Sequence, residues 1–210
     1  MKRKAGLVPL IFFMVFFLFI VFPASAKALE FEEFSFFWGI YYNTYNLETF
    51  EQWVSDDYGV EESFNGGFGF LLGARQWVSG PEFGRIGIGA EIDRMNVSYS
   101  QLDISLSNTG FLLSLAYPLS GIDEVLPKFI SFTGAAGLYL AHILDREVDV
   151  GEINYVYVGP GFKVGFEGSF PIEENVRVGG RLNYRISLPH SEGDVNFSGF
   201  ELGAQVELSF

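Results

Sequence analysis

One stretch of the chain brings a base, a hydroxyl and a carboxylate together: His190, Ser191 and Glu192 in "RISLPHSEGD". Such a set could cleave an ester if the imidazole reached the serine oxygen and the carboxylate oriented the ring. Neighbouring residues of an extended chain point to opposite faces, so His190 and Ser191 would need a turn to meet. Ser198 or another loop serine could substitute, and nothing in the sequence selects one. The only other histidine, His142, has a parity that turns it to the apolar face of its segment, so no catalytic residue is assigned. Two glycine strings also invite a nucleotide reading. "GFGFLLG" (Gly67, Gly69, Gly73) has its third glycine one position late for a dinucleotide fingerprint, and "GPGFKVG" (Gly159, Gly161, Gly165) has all its glycines on one face of a strand.

Carboxylates gather between segments, at Asp56, Asp57, Glu61, Glu62, Asp145, Glu147, Asp149, Glu152, Glu192 and Asp194. Several loops could share a calcium or magnesium ion through oxygen ligands. No EF-hand spacing is present, and a solvated, charge-repelling surface accounts for the same residues. No metal site and no cofactor are assigned. Basic residues near the same end are scarce (Arg94 and Arg146), which weakens any dedicated site for lipid phosphates.

A second set of charges sits inside periodic segments: Arg75, Arg85, Glu91, Asp93, Lys163, Glu167, Arg177, Arg181, Arg185, Glu201 and Glu207. Each shares a face with glycines and small polar residues, opposite an apolar face. The segments that carry them alternate with a period of two, which is the signature of strands. Eight are legible, roughly Phe34–Tyr45, Phe64–Val78, Arg85–Val97, Gly110–Leu119, Phe129–Leu144, Tyr155–Phe170, Asn175–Leu188 and Gly199–Phe210. No helix-length apolar run separates them, so they predict an antiparallel meander.

The seventh segment opposes Val176, Val178, Leu182, Tyr184 and Ile186 to Arg177, Arg181, Asn183, Arg185 and Ser187. Alternation alone leaves open which face is inside, because a soluble barrel points its apolar face inward. Three features choose the other orientation. Glycines concentrate on the polar face, as a crowded interior requires. The charges fall where they can pair across strands. With turns centred near Ile172 and Glu192, Glu167, Arg177 and Glu207 would meet, and Glu201 would lie diagonal to Arg181 and Arg185. A sealed lumen needs such matching, since an unpaired buried charge is costly. Finally, Trp38, Tyr42, Tyr117, Phe170, Tyr184 and Phe210 sit near strand ends, where aromatic rings suit a membrane interface.

The ends of the chain agree with export to a membrane. Lys2, Arg3 and Lys4 precede an apolar stretch from Leu7 to Phe22 and the small-x-small series Ala24-Ser25-Ala26, which predicts a signal peptide over 1–26 and a barrel domain over 27–210. Removing that leader takes three basic residues and no acidic one, moving the formal charge from −13 to −16. So acidic a chain is unsuited to nucleic acid, whose phosphates need Lys and Arg. The absence of cysteine excludes disulfides, Cys-anchored lipid and thiolate metal sites.

The pattern resembles the small eight-stranded outer-membrane barrels of bacteria, the OmpA/OmpX class. The last twelve residues, "GFELGAQVELSF", are the most specific part. Phe200, Leu202, Val206, Leu208 and the terminal Phe210 resemble the signal by which that class is recognised for insertion. The resemblance implies contact with the barrel-assembly machinery, outer-membrane lipid as surroundings, and a last strand paired with the first. It also implies that "SGPEFG", "SGIDEVLPK" and "FPIEEN" are periplasmic turns, and that Leu47–Ser63, Ser98–Asp103, Asp145–Asn154 and Pro189–Ser198 are external loops.

In the first of these loops Asn46 can cap a short helix with Leu47, Phe50, Trp53 and Val54 on one face. It is expected to cover the barrel rim. An interfacial helix or a gate over the mouth is the sharper alternative. The expected fold is thus a closed up-and-down barrel of eight strands, its lumen filled by polar side chains. Function is expected to be non-enzymatic, structural or surface-binding. The alternatives are a narrow channel and a lipid-modifying hydrolase using His190. The eight-stranded lipid A deacylases place a His/Ser/Glu site near this end, but their His-x-Ser-Asn pattern is not matched here.

Overall fold

Alternating apolar and polar residues can bury one face of a strand at a time, and strands that pair all the way round leave no edge unsatisfied in lipid. The computed structural model describes residues 30–45, 47–59, 66–81, 83–99, 104–122, 127, 129–147, 151–187 and 196–210. Its strands are β1 (Glu30–Thr44), β2 (Gly66–Gly80), β3 (Gly84–Tyr99), β4 (Ile104–Pro118), β5 (Ile130–Glu147), β6 (Gly151–Glu173), β7 (Val176–Ser187) and β8 (Gly199–Ser209). Each pairs antiparallel with its neighbours in sequence order. The sheet closes where β1 pairs with β8, from Ser35 opposite Ser209 to Asn43 opposite Glu201. Just beyond, Phe34 and Phe210 exchange backbone hydrogen bonds of 2.8 and 3.2 Å.

Along most of the barrel the apolar face is outside. Phe68, Phe70, Leu72, Phe111, Phe162, Phe166, Leu182 and Leu202 are exposed, while Arg75, Glu91, Lys163, Glu167 and Arg181 are buried within. An exterior of that kind is the surface of a membrane barrel. Close packing explains the inward glycines. A Cβ at Gly161 would overlap the Tyr139 ring, and one at Gly73 would overlap Phe37.

The register corrects several expectations. The β6–β7 turn centres on Glu174, so Glu167 stands opposite Arg181, while Arg177 stands opposite Pro171 and Glu207. Strand β6 continues through "FPIE" to Glu173 and takes up an irregularity between Pro171 and Glu173, leaving Glu174 and Asn175 as the turn. The segment expected as a loop over Asp145–Asn154 is mostly hairpin, with Arg146 opposite Glu152 and Glu147 opposite Gly151. Strand β1 likewise starts earlier than Phe34, with a shift in register between Phe31 and Phe34. The β7–β8 centre agrees with the expected one: Asn183 lies opposite Glu201, putting Glu201 diagonal to both Arg181 and Arg185.

At the loop end the alternation changes sense. On β3 the inward residues pass from Glu91 and Asp93 to Met95 and Val97, and the outward ones from Ile92 to Arg94, Asn96 and Ser98. On β4 the inward residues become Leu106 and Ile104, and the outward ones pass from Phe111 to Thr109, Ser107 and Ser105. Pairing between β3 and β4 continues to Tyr99 and Ile104, whereas the described pairing between β2 and β3 stops at Gly69 and Met95. Strands β3 to β6 therefore project as a sheet whose inner face is apolar and whose outer face, on β3 and β4, is polar.

Candidate functional site

The barrel interior is the chemically loaded part of the molecule, and it is layered. The middle layer holds four cations, Arg75, Lys163, Arg181 and Arg185, and four carboxylates, Glu91, Asp93, Glu167 and Glu201, all buried. Lys163 Nζ lies 2.6 Å from Glu91, 2.9 Å from Asp93 and 3.6 Å from Glu201. Arg181 spans Glu91 at 3.0 Å and Glu167 at 3.3 Å, and Arg75 clamps Glu167 with both terminal nitrogens. Arg75 also stacks over Phe37 at 5.0 Å and Trp77 at 5.3 Å. Equal and opposite charges in contact are the arrangement that a low-dielectric interior tolerates.

Neutral groups complete this layer. Tyr139 donates to Asp93 at 3.1 Å, and the Gly110 amide donates to the other oxygen of the same carboxylate at 3.1 Å. Asn183 donates to Glu201 at 2.8 Å. Arg185 donates twice to the Phe197 carbonyl, at 2.8 and 3.0 Å, and once to Asn43 at 2.7 Å, which ties the last loop to β7 and β1. Sequence reasoning missed Asn43, Tyr139 and Asn183 as partners. Their inward parity was legible, but which carboxylate each would meet depended on the register.

Toward the turn end the lumen opens into a cavity of about 440 Å³ lined by Trp77, Arg85, Phe129, Glu167, Arg177 and Glu207 among others. Arg85 lies here at the rim, paired with Glu32 at 2.7 Å and Glu33 at 2.9 Å and stacked over Trp77 at 4.4 Å. Arg177 is 3.9 Å from Glu33. It was expected to join Glu167 and Glu207, yet it makes no ion pair with either among the described residues. The displaced β6–β7 turn gives Glu167 to Arg181 instead. Glu207 is buried, and its Oε1 has no hydrogen-bond partner among the described residues.

Toward the loop end the lumen is apolar, contrary to a polar filling along its whole length. Met95, Val97, Ile104, Leu106, Ala141 and Ile143 line the projecting sheet, and Tyr45 and Phe197 join them. Onto this face packs helix α1 (Glu48–Tyr58) through Leu47, Phe50 and Val54, each at most 3% exposed. The helix therefore does more than cover the rim: its apolar face is inserted in the mouth. Leu47 is its N-cap residue and makes no side-chain cap; Asn46 lies outside the described residues, and Gly59 ends the helix in the left-handed conformation at φ 67°. Two acidic residues, Glu48 and Glu51, occupy the first turn, where the helix dipole favours them. Burial pushes the Tyr45 hydroxyl up to about 12 against the pull of Arg185, so it stays neutral beside this layer.

The remaining candidates separate. His190, Ser191 and Glu192 lie outside the described residues. The Ser198 hydroxyl is taken up by Ser187, whose amide donates to it at 3.1 Å and whose carbonyl accepts from it at 3.4 Å. His142 faces outward on β5, opposite Ser107 and Val156. Most of the acidic loop residues lie outside the described residues or have no described side chain, and among the described residues no three potential ligands come together to hold a metal. Phe200, Leu202, Val206, Leu208 and Phe210 all point outward on and just beyond β8.

No protein-family model matches the chain, and no curated protein does. Solved structures do. The Yersinia pestis attachment invasion locus protein Ail superposes with a TM-score of 0.54 at 13% identity, over 85% of this chain and 98% of Ail. Ail in complex with the heparin analogue sucrose octasulfate gives 0.52 at 12% identity, with the same coverage. Neisserial surface protein A gives 0.48 at 14% identity, over 85% of this chain and 99% of that protein. With eight antiparallel strands closed in sequence order and an apolar exterior, this chain has the fold of the small eight-stranded outer-membrane β-barrels of the OmpA/OmpX type.

Proposed function

We propose that the protein resides in a bacterial outer membrane, after export with a cleaved signal peptide, as a sealed and non-enzymatic barrel that acts through its loop end. One observation carries this reading: the lumen is blocked by two unlike seals in series. Helix α1 closes the mouth with Leu47, Phe50 and Val54 against an apolar wall, and beneath it the four cations and four carboxylates of the middle layer cross-link the strands. A pathway for solutes would need both to open. A barrel filled in this way is a rigid mount for what it carries outside. Here that is the projecting β3–β6 sheet with its docked helix, a solvent-facing body built like a soluble domain. The fold shared with Ail, whose structure was solved with a heparin analogue, is compatible with contacts to external molecules at that end.

The test is conductance of the refolded mature protein in a planar bilayer. Stable insertion without discrete currents is expected for the wild type. It is also expected for Arg181→Ala, where the helix seal persists. Currents should need both Arg181→Ala and Phe50→Asp. Discrete conductance of the wild type would overturn the sealed reading.

A further inference from the structure

Of the buried charged residues among those described, Glu207 alone takes part in no ion pair. It is 3% exposed, and its Oε1 has no hydrogen-bond partner among the described residues. Register accounts for its isolation. On β1 it lies opposite Phe37, a buried ring, and on β7 opposite Arg177. Arg177 does not reach it, and its ion pair among the described residues is the 3.9 Å contact to Glu33. Opposite charges on facing strands and on the same face thus stand unjoined. Both belong to the wall of the turn-end cavity of about 440 Å³.

A carboxylate removed from water is costly without a cation. The barrel's own cations are engaged: Arg75 and Arg181 hold Glu167, and Arg85 holds Glu32 and Glu33. The missing cation must enter through the cavity. A metal ion takes several oxygen ligands, and among the described residues no three potential ligands come together. An ammonium is satisfied by one carboxylate and neutral acceptors, and Ser131 and Ser169 lie in the same wall. Arg177 adds the opposite requirement. It is 31% exposed and holds Glu33 only at 3.9 Å, so its guanidinium is open to an anion. One molecule carrying both charges would complete the pair, and the volume lies within the roughly 300–1,000 Å³ of small-molecule sites.

We propose that the turn-end cavity binds a free α-amino acid with an apolar side chain, its ammonium on Glu207 and its carboxylate on Arg177. The ammonium enters first, because Glu207 is the more deeply buried of the two. Both contacts are charge-assisted hydrogen bonds, and the guanidinium can grip the carboxylate with two N–H groups. Trp77, Pro118 and Pro171 provide apolar wall for the side chain. The site rests on the barrel and its register. The membrane reading adds only that the mouth of this cavity faces the periplasm.

Equilibrium dialysis of the refolded protein in neutral detergent tests this, with folding checked by the shift in gel mobility between heated and unheated samples. L-Phenylalanine should bind saturably, one per chain. N-Acetyl-L-phenylalanine, which lacks the ammonium, and L-phenylalaninamide, which lacks the carboxylate, should each bind about ten-fold more weakly. Glu207→Gln should weaken L-phenylalanine about ten-fold and no longer distinguish it from the N-acetyl compound. Arg177→Gln should do the same and no longer distinguish it from the amide. No binding by the wild type, equal binding of the three compounds, or variants that keep the full discrimination would each overturn the site. Should a variant fail to refold, the comparison of the three compounds on the wild type still decides. A protein that inserts into bilayers without conducting yet binds none of the three loses this site and keeps the sealed barrel. One that conducts and still binds L-phenylalanine in this way keeps the site and loses the sealed reading.

Discussion

Lys163 Nζ and Asp93 Oδ2 meet at 2.9 Å across the lumen, from strands β6 and β3 that have β4 and β5 between them. The contact spans the barrel rather than running along the sheet, and Glu91 and Glu201 complete it around the same ammonium. The middle layer is therefore a cross-brace. Its charges stabilise the closed form only as a set, because each is removed from water.

Removing the ammonium should show this. Lys163→Met leaves three buried carboxylates without their shared cation and is expected to destabilise the barrel by about 3–5 kcal/mol. Adding Glu91→Gln to Lys163→Met should recover part of that loss. Urea unfolding of the protein in vesicles, followed by tryptophan emission, measures both.

Two arginines of the same face should differ sharply. Arg181 is 5% exposed and holds two carboxylates, so Arg181→Gln is expected to cost about 3–5 kcal/mol. Arg177 is 31% exposed and lies 3.9 Å from Glu33, so Arg177→Gln should cost about 1 kcal/mol or less. Equal costs in the same unfolding assay would contradict the register at the β6–β7 turn.

The helix seal can be read with a thiol, since the chain has no cysteine of its own. Ile104 is 2% exposed beneath α1, so Ile104→Cys should resist a water-soluble maleimide. Adding Phe50→Asp and Val54→Asp puts charges against the apolar wall, which should release the helix and raise the labelling rate by about ten-fold or more. Rapid labelling without those changes would show that α1 does not cover the mouth.

Glycines should divide by the face they occupy. At Gly161 any side chain meets the Tyr139 ring, so Gly161→Val is expected to cost about 1–3 kcal/mol or more through overpacking. At Gly134, on the outward face, a Cβ would meet nothing nearer than the Lys163 carbonyl at 3.9 Å, so Gly134→Ala should be close to neutral. The two unfolding midpoints test this directly.

The last residue separates assembly from stability. Its backbone bonds to Phe34, while its ring is 75% exposed on the outer surface. Phe210→Ser should therefore leave refolding into vesicles nearly unchanged yet lower the amount assembled in a cell membrane. A loss of refolding as large as the loss in cells would assign the ring a packing role instead.

Much of this architecture was legible because strand alternation is local. That Arg181 and Leu182 face opposite ways, and that Arg181 shares its face with Arg177, Asn183 and Arg185, follows from the parity of their positions, whatever register the strands adopt. The same parity runs on from Glu91 and Asp93 to Met95 and Val97, so the apolar upper wall was also written in the sequence. It was masked by reading each face as having one polarity throughout. Which charges meet was not local. Shifting the β6–β7 turn by two residues keeps every side chain on its face while moving Glu167 from Arg177 to Arg181, and pairing across the lumen, as between Lys163 and Asp93, exists only once β1 has closed on β8. The apolar side of α1 was visible in Leu47, Phe50 and Val54. Its destination was set by the wall that four strands build together. Period and parity, which depend on bond geometry, were determined by the sequence alone; the partners of buried charges and of the helix were decided by tertiary closure, because both depend on distances between residues far apart in the chain.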